Sequence, residues 1–244
     1  MRKALLVAVA LALIAPAHAA AKELVKLEVC GPASCAATQD KNLINQIAGG
    51  NSVDARTPAL QPYYKLVFTI AVGESGFETF SNYYVPALGV QAFKDEHNYA
   101  TWIELPAASR AGLDTLANGL APFPKPTVTG VTVGGRRVSD PASYERLVTL
   151  NGHQGRRAVY DWRGIRFTTD VPSPWSDGSI LMRFSPRRGY IFRDHRAHVL
   201  PRYMAARIKA GKGLGPVTQG VALCALAGAA LGAGLLARRR RITR

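Results

Sequence analysis

The sequence predicts an α+β fold, mostly antiparallel sheet with short helices, ahead of a C-terminal transmembrane helix. Three observations carry this reading. Runs rich in β-branched and aromatic residues recur between Gly, Pro and Asp punctuation, at Lys65 to Val72, Thr127 to Val133, Arg163 to Thr169 and Ile180 to Phe184, which is the pattern of strands. Helical patterns are few and short: Asp40 to Ala48, Ala142 to Leu150, and two stretches opened by Leu105-Pro106 and Leu200-Pro201, where Pro suits the first helical turn. Residues 217–237 form an almost unbroken apolar run of the length a bilayer requires.

The chain opens with Arg2 and Lys3, an apolar stretch from Ala4 to Ala17, and small residues at Ala17-His18-Ala19. That order is the order of a signal peptide, here 1–19. Export implies an oxidising compartment. Cys30 and Cys35 are the only cysteines ahead of the final apolar run, so a disulfide closing this short loop is expected. Gly31-Pro32 makes the turn between them easy. Two thiols with no second Cys or His pair do not make a zinc site, and their spacing is not that of a redox pair.

Two stretches then follow one pattern. Val29-Cys30-Gly31 precedes a helix opened by Asp40, and Val133-Gly134-Gly135 precedes one opened by Asp140; Asp is a favoured N-cap. Phe68-Thr69 answers Phe167-Thr168, Phe93-Lys94-Asp95 answers Phe192-Arg193-Asp194, and Leu105-Pro106 answers Leu200-Pro201. The order points to two tandem related β-β-α-β-β-β-α units, 20–121 and 127–215. Alternate prolines in 122–126 read as a stiff connector. Pro172 to Gly178 is a turn cluster between two strands.

Charge divides along the same line. Residues 20–130 hold 8 Lys/Arg and 10 Asp/Glu, whereas 131–215 hold 16 and 6. Arg183, Arg187, Arg188, Arg193, Arg196, Arg202 and Arg207 crowd the approach to the apolar run. They are candidate contacts to anionic lipid headgroups or an envelope polymer. An exported domain makes nucleic acid the wrong partner for this charge.

The apolar run, 217–237, has 21 residues. As a helix it spans about 31 Å, close to the roughly 30 Å hydrocarbon core. Arg238 to Arg241 and Arg244 close the chain and hold the tail 238–244 on the cytoplasmic side. Gly228 and Gly232 stand four apart, a spacing that lets a partner transmembrane helix approach closely. Cell-wall sorting signals share the apolar-plus-basic shape but carry Leu-Pro-x-Thr-Gly, where this chain has Leu214-Gly215-Pro216-Val217-Thr218.

The chain contains no Gly-x-Ser-x-Gly elbow; Gly73-Glu74-Ser75-Gly76 is one residue out of register. His195 and His198, beside Asp194, fall on a strand edge flanked by Arg193 and Arg196, which repel a cation. Asp95, Glu96 and His97 fall in a turn and point apart. Trp175 reads as a plug in the core, as do Tyr83 and Tyr84. No catalytic, cofactor or metal residue is therefore assigned. The expected function is a single-pass, membrane-anchored extracytoplasmic binding or scaffolding protein. A cell-envelope hydrolase and an accessory subunit of a membrane complex are the alternatives.

Overall fold

Alternating apolar residues build the first sheet. Tyr64, Leu66 and Phe68 share one buried face of β4 (Tyr64–Val72). They meet Leu27 and Val29 of β1 (Glu23–Cys30). The structure, a computed structural model, describes residues 23–215 apart from 50–52, 74–75, 151–152 and 156. The signal peptide 1–19, the apolar run 217–237 with Gly228 and Gly232, and the tail 238–244 lie outside the described residues. Within those residues no helix is long and apolar enough to cross a membrane.

The molecule is α+β, with antiparallel sheets and few short helices. The remaining strands of the first half are β2 (Cys35–Thr38), β3 (Val53–Asp54), β5 (Gly76–Val85), β6 (Val90–Lys94) and β7 (Ala100–Glu104). Its sheet has the order β2-β1-β4-β5-β6-β7-β3. The second half supplies β8 (Val128–Val133), β9 (Arg136–Arg137), β10 (Arg163–Thr169), β11 (Met182–Ser185), β12 (Tyr190–Arg193) and β13 (Arg196–Val199). Its sheet runs β9-β8-β10-β11-β12-β13. The two orders match strand for strand, and an antiparallel bridge from Gln154 to His198 stands where β3 pairs with β7. After its first helix the first half has five strands, β3 to β7, and the second has four, β10 to β13, where the sequence pattern expects three in each.

The glycines between the last strands repeat too. Gly89 and Gly189 both take left-handed backbone, at φ 63° and 66°. Gly89 N–H donates to Val85 O at 3.0 Å, and Gly189 N–H to Ser185 O at 2.9 Å. Their carbonyls accept the N–H of Leu105 and Leu200, each at 2.9 Å. A proline then opens each final helix, α2 (Ala107–Leu116) after Pro106 and α3 (Arg202–Lys209) after Pro201.

The first helices differ. Asp40 caps α1 (Lys41–Gly49), its Oδ1 accepting Asn42 N–H at 2.9 Å. Asp140 does not cap: it is left-handed at φ 51°, and the segment Pro141–Leu147 is a 3-10 helix rather than an α-helix. Tyr144 and Leu147 are nevertheless buried from it, as Ile44 and Ile47 are from α1.

Helices α1 and α2 cover one face of the first sheet, with Ile44, Ile47, Leu113 and Ala117 against Leu66, Phe68 and Tyr84. The opposite face gives Tyr63, Tyr83, Val85, Ala92 and Trp102 to a second cluster. That cluster also holds Val131, Phe167, Phe184, Met204 and Ile208 from the second half, so the halves share a core. Trp175 is fully buried there, 5.3 Å from Trp102 and 6.2 Å from Tyr63 between ring centroids. Its Nε1 donates to Pro58 O at 3.1 Å. The Pro-rich segment docks rather than spacing two bodies: Phe123 stacks on Tyr63 at 5.2 Å, and Phe123 N–H donates to Tyr63 O at 2.8 Å. Cys30 and Cys35 face each other across β1 and β2 and form a disulfide.

Candidate binding cleft at the junction of the halves

The two turns that the sequence aligned end up in one place. The β6–β7 turn carries Asp95 and His97; the β12–β13 turn carries Asp194 and His195. All four line a cleft of about 250 Å³ between the halves, together with Thr57, Tyr99, Trp102, Leu181, Arg183 and Phe192. A groove of about 530 Å³ continues from it past Arg56, Gln154, Arg196 and His198.

Both turns are held in unusual backbone. Asp194 and His195 are consecutive left-handed residues, at φ 49° and 59°, between the paired Arg193 and Arg196. A two-residue hairpin turn of this kind favours Asn-Gly or Asp-Gly, because both central residues need positive φ. A histidine there is strained, and such strain persists only where neighbours over-determine the chain. Asn98, at φ 60°, occupies the facing turn.

Three of the four carboxylate oxygens of Asp95 and Asp194 are hydrogen-bonded among the described residues. Asp95 Oδ1 accepts the N–H groups of His97 and Tyr99, each at 2.8 Å. Asp194 Oδ1 accepts the N–H and the hydroxyl of Thr57, each at 2.8 Å. Its Oδ2 accepts Arg193 Nε at 2.9 Å. Arg193 is only 5% exposed. Its remaining nitrogens donate to Leu147 O at 2.7 Å, to Leu150 O at 2.9 Å and to Val148 O. It is therefore removed from the set of surface arginines expected to meet an anionic surface. Ile191 and Arg193 share the buried face of β12, and a buried guanidinium requires this full set of partners.

The donors are largely uncommitted. The Arg183 guanidinium lies 4.2 Å over the Tyr99 ring, a cation–π contact, and makes no hydrogen bond or ion pair among the described residues. The buried Tyr99 hydroxyl and Trp102 Nε1 find no partner among them either. An unmade bond at a buried donor costs about 1–3 kcal/mol. Among the described residues no group of three or more His, Cys, Asp or Glu is placed to hold a metal ion.

The other arginines divide by location. Arg183 belongs to the cleft and Arg196 to its outer groove. Arg187 and Arg188 are exposed in the β11–β12 turn, and Arg202 and Arg207 are exposed on α3. Thr57, Tyr99 and Trp102 carry no sequence signal for this site, because each is an isolated residue in an ordinary strand, turn or loop pattern. Only the paired Asp turns pointed toward it.

Tyrosines around the shared core titrate high. Burial, and then the charge of Asp170, push Tyr63 up to about 12. Burial does the same to Tyr144, also to about 12. Comparison with known proteins finds no match: no family model, no curated protein and no solved structure aligns significantly with the chain.

Proposed function

We propose that this chain is a single-pass, membrane-tethered extracytoplasmic binding protein built from two copies of one β-rich unit. Its basic second half faces anionic lipid headgroups or envelope polymer. The leader 1–19 directs export, and 217–237 is the tether. Support for the duplication comes from the matching strand orders and from the shared glycine geometry at Gly89 and Gly189.

The observation that supports the orientation is the contact of α3 with Gly215. Gly215 lies two residues before Val217, and the Arg207 guanidinium carbon is 3.7 Å from where a Cβ on Gly215 would stand. A tether leaving from this point brings α3 to the bilayer, with Arg202, Arg207 and Lys209 exposed on it. Each such charge near an anionic surface is worth about 1 kcal/mol.

The test uses the full chain reconstituted in bilayer discs. Hydrogen exchange of α3 is measured in phosphatidylglycerol discs and in phosphatidylcholine discs. The reading expects slower exchange across Arg202–Lys209 in the anionic discs, reversed at high salt. Equal exchange in both lipids contradicts it.

A further inference from the structure

We infer that the junction cleft binds a small organic anion, a carboxylate carried on a compact apolar body. The case rests on one cation without a counter-charge. Three of the four carboxylate oxygens of Asp95 and Asp194 are taken by backbone N–H groups, the Thr57 hydroxyl and Arg193. The Arg183 guanidinium lines the same cleft with no hydrogen bond or ion pair among the described residues. A ligand that brings a carboxylate supplies the partner it lacks.

Arg183 determines the charge of that ligand. Its contact with the Tyr99 ring, 4.2 Å from the guanidinium carbon to the centroid, holds the guanidinium beside the cleft. A planar fork meets a carboxylate with two parallel bonds. Arg56 and Arg196 stand in the outer groove with Asp54 and Asp194, so the groove leaves Arg183 as the cleft's cation without a carboxylate of its own. The apolar walls, Leu181, Phe192 and Trp102, accommodate a hydrocarbon or aromatic body. A cavity near 250 Å³ lies just below the roughly 300–1,000 Å³ range of ordinary small-molecule sites, which limits the ligand to about the size of a benzoate.

The inference stands apart from the lipid-facing surface. It is tested with the full chain in neutral detergent by titration calorimetry, using benzoate, benzyl alcohol and inorganic phosphate as probes. Benzoate is expected to bind with a Kd of about 1 mM or tighter, and both other probes at least about tenfold more weakly. Arg183→Met abolishes the preference for benzoate over benzyl alcohol, Arg183→Lys retains part of it, and Arg187→Met, outside the cleft, leaves it unchanged. Were Arg183→Met to unfold, the Lys variant decides the matter. The inference is overturned by absence of benzoate binding, by benzyl alcohol or phosphate binding equally well, or by folded variants that bind as wild type does. Lipid-dependent exchange of α3 with no benzoate binding would sink the cleft alone; benzoate binding with no lipid response would sink the surface reading alone.

Discussion

Asp194 takes both the backbone N–H and the hydroxyl of Thr57 on a single oxygen, each at 2.8 Å, across 137 residues of chain. With Arg193 on its other oxygen, this carboxylate ties the β12–β13 turn to the segment after β3. It joins the halves beside the cleft, where the shared apolar core joins them elsewhere.

Breaking the tie at its buried charge is the costliest change expected. Arg193→Ala leaves Asp194 Oδ2 and the carbonyls of Leu147, Val148 and Leu150 without this donor. Removing one partner of a buried ion pair costs about 3–5 kcal/mol. Thr57→Val, which deletes only the hydroxyl bond, costs about 1–3 kcal/mol. Urea unfolding of the two variants measures both; a loss under about 1 kcal/mol for Arg193→Ala would show that the network is dispensable.

Trp175 offers an independent measure of the shared core. Trp175→Ala leaves a cavity among Tyr63, Trp102 and the loop that reaches Pro58, and costs about 3–5 kcal/mol. Trp175→Phe keeps most of the volume and loses the bond to Pro58 O, so it costs less. Thermal unfolding should show one transition in both, because the apolar cluster is continuous between halves. Two separated transitions would mean that the halves fold independently.

The repeated glycines can be compared directly. At Gly89 an added Cβ comes 2.2 Å from Arg110 Cδ, and at Gly189 it comes 3.2 Å from Ala205 Cβ. Alanine at either position also adopts left-handed backbone, at about 1–2 kcal/mol. Gly89→Ala is therefore expected to be the more destabilising in denaturant unfolding, unless Arg110 swings aside. Equal tolerance of Ala at both, with no loss of stability, would show that the caps are incidental.

Acid should weaken the fold through two loops. The Ser185 hydroxyl, with Arg187 N–H, holds Asp161 below its ordinary value of 3.8. Thr127 N–H does the same to Asp170. A carboxylate whose folded pKa is depressed contributes stability above its unfolded pKa and loses it as pH falls through the folded one. Both contributions are thus complete at neutral pH and fade below about pH 4. Asp161→Asn and Asp170→Asn should each flatten the fall in stability between neutral and acid pH. An unchanged profile in both variants would remove these loops from the account.

Much of the sheet was legible because its apolar residues alternate. Tyr64, Leu66 and Phe68 mark β4, and Ile165 and Phe167 mark β10, with no help from the rest of the chain. Strand β5 was not legible: Phe77 to Ser81 are exposed and mixed in polarity, and they are extended only because β4 pairs with them from Val72 to Tyr64. Asp140 looked like the N-cap that Asp40 is, yet it stands in left-handed backbone with no side-chain cap bond, and the segment after it is a 3-10 helix that buries Tyr144 and Leu147. The burial of Arg193 had one local signal, its two-residue spacing from Ile191, which charge alone overrode. The cleft itself is a product of long-range pairing. Thr57, Tyr99 and Arg183 meet only after both sheets form, so no window of sequence contains them together.

The most direct test of the central claim is fractionation of the intact cell with the mature chain's N-terminal residue determined. The account predicts a membrane-bound polypeptide beginning near Ala20, its residues 20–215 digested by protease added from outside and its arginine-rich tail spared. Recovery of the chain from the soluble cytosolic fraction, still beginning at Met1, would contradict it.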